Sequence, residues 1–161
     1  MVRQLSTVGG VLEFRSSAWQ TLVQHRQIHP LSAEAGGLLL GRMLNATDDV
    51  VVDVATPPNA NDQRSRFGFS RARATSQAIV DAAWRESGGT RVYLGEWHTH
   101  PEDDPSSSTT DEQDRRRILK NTRCESPQLY FVIVGRRAIR VWVGDRLSGT
   151  VREVGSFGED A

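Results

Sequence analysis

Two histidines one residue apart, closed off by a proline, constrain this chain more than any other stretch: Gly95-Glu96-Trp97-His98-Thr99-His100-Pro101. The preceding run Arg91-Val92-Tyr93-Leu94 has the apolar character of a buried strand. If that strand continues through His100, residues two apart point to the same face. His98 and His100 then stand side by side, roughly 6–7 Å apart at the rise of a strand. Two imidazoles so placed can converge on one metal ion. Pro101 donates no ladder bond and biases His100 towards extended backbone, so the strand is expected to stop here. The pair would lie at the strand's carboxyl end, where sheets of α/β proteins commonly present their chemistry.

Two carboxylates complete a candidate site. Asp111 opens a helix-like segment after a serine cluster and can swing back as a third ligand. Two histidines and one carboxylate leave a tetrahedral zinc one open position, as catalytic sites require. Hydrolysis also needs a general base, and Glu34 is the candidate, at the mouth of the run Ala35-Gly36-Gly37-Leu38-Leu39-Leu40-Gly41. Glu96 shares the histidine face and competes for that role, or orients a ligand, or simply makes ordinary hydrogen bonds. Trp97 and Thr99 face the other way, with Trp97 expected beneath the site. Ser108 and Asp111 also fit a capping box, in which a serine and an acid three residues later satisfy the amides at a helix start. Ser106, Ser107 or Thr109 could supply the cap instead.

Glutamate, then His-x-His, seven residues, serine, two residues and aspartate is a pattern that resembles the JAMM (JAB/MPN) metalloproteases. It stands here as Glu34, His98-Thr99-His100, Ser108 and Asp111, and the resemblance runs from about Val11 to Val143. It implies an α/β fold, a single JAB/MPN domain over 1–161 with its core at about 11–154. A central mixed sheet would be flanked by about three helices in cytidine-deaminase-like layers. It further implies Zn2+ on His98, His100 and Asp111, Glu34 as proton shuttle, and Ser108 as hydrogen-bond donor to the oxyanion. Within the family the chain is similar to the small stand-alone JAB deconjugases of bacterial CBASS anti-phage operons. Those cut the amide linking the C-terminus of a cGAS-like nucleotidyltransferase to a target amine, a bond made by an E1/E2-type enzyme. A JAB peptidase acting on a ubiquitin-like or sulfur-carrier protein would use the same five residues. A non-catalytic MPN scaffold is the reading of a different class, and the complete residue set argues against it.

Length and charge bound the alternatives. At 161 residues the chain is expected to form one domain with a real core. Its 20 basic and 20 acidic side chains cancel, so no global pull towards nucleic acid or anionic membrane is indicated. A lone Cys124 excludes an internal disulfide and suits a reducing interior. With no span-length apolar stretch and no signal-peptide core, a cytoplasmic location is expected.

Along the chain, Val11–Phe14 reads as a first strand and Ser16 or Ser17 as the cap of a helix ended by His29-Pro30. His25 and His29 stand four apart, but Arg26 breaks the His-Glu-x-x-His pattern. Strands follow at Glu34–Met43 and Val50–Ala55. The 56–69 stretch, with Pro57-Pro58, reads as a mobile loop anchored by Phe67 and Phe69, either holding substrate or simply connecting. Ser70–Ser87 is a helix with Trp84 expected in the core. Asp111–Thr122 is another, on which Arg115, Arg116 and Arg117 read as a solvated face. Gln128–Val134 and Ala138–Val143 are strands, Thr150–Val154 an added edge, and Gly155–Ala161 a frayed end.

Overall fold

Nearly every apolar run of the sequence becomes a strand of one sheet. The computed structural model describes residues 2–160. In chain order the elements are β1 (Arg3–Ser6), β2 (Val11–Phe14), α1 (Ser16–Gln24), β3 (Gly36–Met43), β4 (Val50–Ala55), β5 (Gln63–Ser65) and β6 (Gly68–Ser70). Then follow α2 (Arg73–Glu86), β7 (Val92–Thr99), α3 (Thr109–Asn121), β8 (Gln128–Val134), β9 (Ile139–Asp145) and β10 (Val151–Phe157). Eight strands pair in the order β1-β2-β4-β3-β7-β8-β9-β10, while β5 and β6 form a separate hairpin. The sheet is mixed: β2 runs parallel to β4 and β7 parallel to β8, and each parallel step is bridged by a helix, as parallel neighbours require.

Strands covered on both faces alternate between two cores. On one side Leu12, Phe14, Leu39, Val52, Trp97, Val132 and Val141 enclose Ala18, Trp19 and Leu22 of α1. On the other side Leu38 and Leu40 meet Ala83 of α2, and Phe131, Ile133 and Trp142 meet Leu119 of α3. The architecture is therefore the expected α/β layering with three helices.

One irregularity sets the phase of the histidine strand. Leu39 faces Gly95 across the ladder, yet Leu40 faces Tyr93, so Leu94 is an extra residue, a β-bulge. Leu94 and Trp97 both enter the α1 core although they are three apart, while Tyr93 points to the opposite side. A one-residue slip flips every side chain beyond it. Without the bulge, a strand with Leu94 inward would also bury His98 in the α1 core. Gly95 makes the bulge possible: its φ is 143°, and a Cβ there would lie 1.8 Å from the Tyr130 carbonyl oxygen.

Several boundaries differ from the sequence reading. An additional edge strand, β1, precedes Val11 and pairs with β2. Helix α1 ends at Gln24 rather than near His29, because the chain turns to bury Gln27. The 56–69 segment carries the β5–β6 hairpin, where Phe69 packs against Gly36 but Phe67 is exposed. Trp84 is 47% exposed, not core. Arg115 is buried, its guanidinium 4.2 Å over the Trp142 ring, so it is not part of a solvated basic face. Within the end expected to fray, Gly155–Phe157 completes β10, and Phe157 stacks edge-on against Trp19 at 4.9 Å. Ala161 lies outside the described residues.

Candidate metal centre

Three donors converge where β7 ends and α3 begins. The His100 amide still donates to the Val134 carbonyl (3.0 Å), which holds the chain extended one residue past β7. His98 Nε2 lies 3.1 Å from His100 Nε2. Asp111 Oδ1 is 3.0 Å from His98 Nε2 and Asp111 Oδ2 is 3.3 Å from His100 Nε2. The ligand atoms of these three residues all lie within 4.8 Å of one another, the one such group among the described residues. This donor set fits a divalent metal: ligand bonds of about 2.0–2.1 Å place tetrahedral donors about 3.3 Å apart. Two ring nitrogens facing each other beside a carboxylate are the arrangement a cation would hold together.

A third carboxylate, missed in the sequence, fixes the orientation of one ring. Glu102 Oε2 lies 3.2 Å from His100 Nδ1 and also accepts from the Ser106 amide at 3.0 Å. A proton on Nδ1 leaves Nε2 with a lone pair for metal, the usual carboxylate–imidazole support. Its signal was faint, one acidic residue among three in Glu102-Asp103-Asp104.

Asp111 does two jobs. Its amide donates to Ser108 Oγ at 3.0 Å, and its Oδ2 accepts from the Ser108 amide at 2.8 Å, a complete capping box. The capping and ligand readings are thus compatible, because the same box aims the carboxylate at the imidazoles. Ser108 Oγ acts as acceptor in that box, which leaves its hydroxyl hydrogen uncommitted by this bond. Burial opposes ionisation of Asp111, but hydrogen bonds from His100, His98 and the Ser108 amide outweigh it and hold the carboxyl well below the usual range. Burial also keeps His98 below its ordinary pKa, in the neutral form that binds metal. At His100 burial is outweighed by Asp111 and Glu102, and its pKa lies above the ordinary value.

Glu34 comes from the segment leading into β3, the strand paired with β7, where Gly36 stands opposite His98. The glutamate is 5% exposed, two residues before the start of β3. Its amide donates to Ser65 O at 2.7 Å and its carbonyl accepts from Arg64 Nε at 2.7 Å, so the hairpin grips it from both sides. Burial pushes its carboxyl up to about 7; His100 partly opposes this, and the charges of Asp111 and Glu102 add to it. Within β3, Gly37 permits close approach of Thr56 and Trp97, since a Cβ there would sit 2.1 Å from Thr56 O.

The other singled-out residues lie elsewhere. Glu96 pairs with Arg71 and accepts from Tyr93 Oη at 2.9 Å, so it makes ordinary hydrogen bonds. His25 Nδ1 lies 2.7 Å from Thr21 O, with its ring against Trp97, and His29 Nδ1 accepts from the Leu31 amide. Trp97 packs beneath, donating to Thr56 O at 3.0 Å.

Residues 15–144 match the family described as prokaryotic homologs of the JAB domain.

The chain belongs to the prokaryotic JAB family.

Curated relatives of this JAB domain include a "CD-NTase/cGAS isopeptidase" of Pseudomonas aeruginosa, 41% identical and matched over 81% of each chain. A protein of the same name in Vibrio cholerae is 37% identical over 78% of this chain and 75% of its own. A "probable metalloprotease y4qB" of Sinorhizobium fredii is 28% identical over 63% of this chain and 62% of its own. Among solved structures, that of protein DSY2949 from Desulfitobacterium hafniense is similar, with a TM-score of 0.60, 25% identity and 87% of each chain covered. By family and relatives the chain is a hydrolase.

Proposed function

We propose that this JAB domain is a zinc-dependent isopeptidase of CBASS anti-phage defence. It hydrolyses the amide between the C-terminus of a conjugated protein, a cGAS-like nucleotidyltransferase, and a target amine. The observation that carries this reading is the convergence of His98, His100 and Asp111 beside a buried glutamate whose pKa is near 7. The names of the relatives support the substrate class. The domain works opposite an E1/E2-type conjugating enzyme, in the cytoplasm. No helix among the described residues is long and apolar enough to cross a membrane.

His98, His100 and Asp111 would hold the zinc, which when bound brings the pKa of water to about 7 and polarises a carbonyl. Glu34 takes the proton of the attacking water and later delivers it to the leaving amine. A carboxyl near 7 is suited to both transfers, because a shuttle works best near the operating pH. The Ser108 hydroxyl donates to the substrate oxygen as negative charge develops there, at a helix N-terminus that also favours that charge. Glu102 keeps His100 in the tautomer that presents Nε2.

The test is a fusion of the nucleotidyltransferase to a fluorescent protein, incubated with the enzyme with and without chelator. The expected result is a single cut at the junction that chelator abolishes and zinc restores. An intact fusion, alongside cleavage of a ubiquitin-like or sulfur-carrier fusion, would move the reading to those substrates.

A further inference from the structure

Between the β5–β6 hairpin, the Glu34 segment and the histidine strand lies a buried polar network that the proposed reaction does not itself use. Gln27 and Thr99, 2% and 0% exposed, meet at its centre. Thr99 Oγ1 donates to Gln27 Oε1 at 2.8 Å and accepts from the Ala35 amide at 2.9 Å. The Thr99 amide in turn donates to the Ala35 carbonyl at 2.9 Å. Gln27 Nε2 spends its two hydrogens on the Ser32 and Arg66 carbonyls, both at 3.0 Å. Each of these side-chain groups therefore has a partner, which is how a buried polar network rigidifies a site rather than weakening it.

The topology of these bonds is informative. Thr99 stands between the two imidazoles, and Ala35 directly follows Glu34. Three consecutive hairpin residues reach the same place: Arg64 to the Glu34 carbonyl, Ser65 to the Glu34 amide, and Arg66 to Gln27. The hairpin has few other holds on the body, since β5 and β6 pair only with each other among the described strands. Glu34 itself precedes β3, so ladder pairing does not fix it.

We infer that Gln27 is a positioning residue that, through Thr99 and Arg66, locks the hairpin and the Glu34 backbone to the histidine strand. It sets the distance between the proton shuttle and the metal ligands. This rests on the isopeptidase reading for its kinetic consequence but not for its structural one. Gln27→Met keeps the volume and removes the three hydrogen bonds. Thr99→Val keeps the shape and leaves the Ala35 amide and Gln27 Oε1 unpaired, whereas Thr99→Ser keeps the hydroxyl. None of the three removes a metal ligand.

The test measures kcat and KM on the fusion substrate, zinc affinity by competition with a chromophoric chelator, and amide exchange of the zinc-loaded protein. Gln27→Met and Thr99→Val are expected to lower kcat about 10- to 100-fold, as misplacement of a reacting group by up to about 1 Å does. KM and zinc affinity should change little, and Thr99→Ser should restore kcat. Amides of residues 34–35 and 63–70 should exchange faster in the two damaging variants alone. If Thr99→Val does not fold, Gln27→Met carries the test, because it leaves the Thr99 bond to Ala35 in place. Unchanged kcat and exchange in Gln27→Met would overturn the inference. So would a loss of kcat that Thr99→Ser shares in full. Should the unaltered enzyme leave the fusion uncut, the nucleotidyltransferase reading fails, and exchange alone decides the network.

Discussion

Glu34 is costly to the fold for the same reason that suits it to chemistry. Its carboxyl, raised from an ordinary value near 4.5 to about 7, stays protonated in the folded state over a range where the unfolded chain has released the proton. The folded state then binds more protons, so stability falls as pH rises between those two values. By pH 8 the penalty is nearly complete, on the order of 3 kcal/mol. Glu34→Gln removes the charge while keeping the shape. In metal-free protein it is expected to raise the melting temperature by several degrees at pH 8 and hardly at all at pH 4. The same variant should lose roughly 10²–10⁴-fold in kcat and retain zinc. A differential scan at the two pH values, paired with single-turnover cleavage, checks both halves. Glu102 makes a different prediction. Glu102→Ala frees His100 Nδ1 and should weaken zinc about 10- to 100-fold, the effect typical of losing such a support. A chelator competition titration measures it. His98, His100 and Asp111 were legible in the sequence because their spacing repeats a known pattern. Glu102 was not, because one acid among neighbouring acids has no period or spacing to mark it.

At the scale of elements, the start of α3 combines capping with catalysis, and substitution can separate them. Ser108→Ala removes the side-chain acceptor for the Asp111 amide, a loss of about 1 kcal/mol for a typical N-cap. Ser108→Asp restores an acceptor of equal capping strength but has no hydroxyl hydrogen to donate to an oxyanion. Thermal stability should therefore recover in Ser108→Asp while kcat stays depressed, roughly 10²-fold or more below the unaltered enzyme. Recovery of kcat together with stability would make Ser108 a cap and nothing else. Strand β7 shows where reading by periodicity stops. Its existence was plain from apolar character, but the phase of its side chains depends on the extra residue at Leu94, which plain alternation does not show. Gly95 was the one local sign. The hairpin was hidden for a related reason: β5 and β6 are three residues each, too short to establish a period. Arg115 misled because its charge predicted solvent, whereas Trp142 and the Ser107 hydroxyl (2.6 Å) receive it indoors.

For the whole molecule, the metal donors come from β7 and α3, and the base from the segment before β3, so the site spans the middle of the chain order and of the sheet. A ligand that binds only the folded arrangement stabilises it by mass action, about 2.7 kcal/mol at a hundredfold excess over its dissociation constant. Zinc should therefore raise the melting temperature of the metal-free protein. For a chain of this length that corresponds to roughly 5–10 °C. The effect should vanish in His98→Ala, which removes one of the three donors, and persist in Glu34→Gln, which removes none. It should also shrink on acidification, because protons compete for His100, whose pKa is raised by Asp111 and Glu102 despite burial, and metal binding must displace them. A thermal shift series across zinc concentration and pH for the three proteins measures all of this. Equal stabilisation of His98→Ala and the unaltered chain would mean that the ion binds somewhere other than the end of β7.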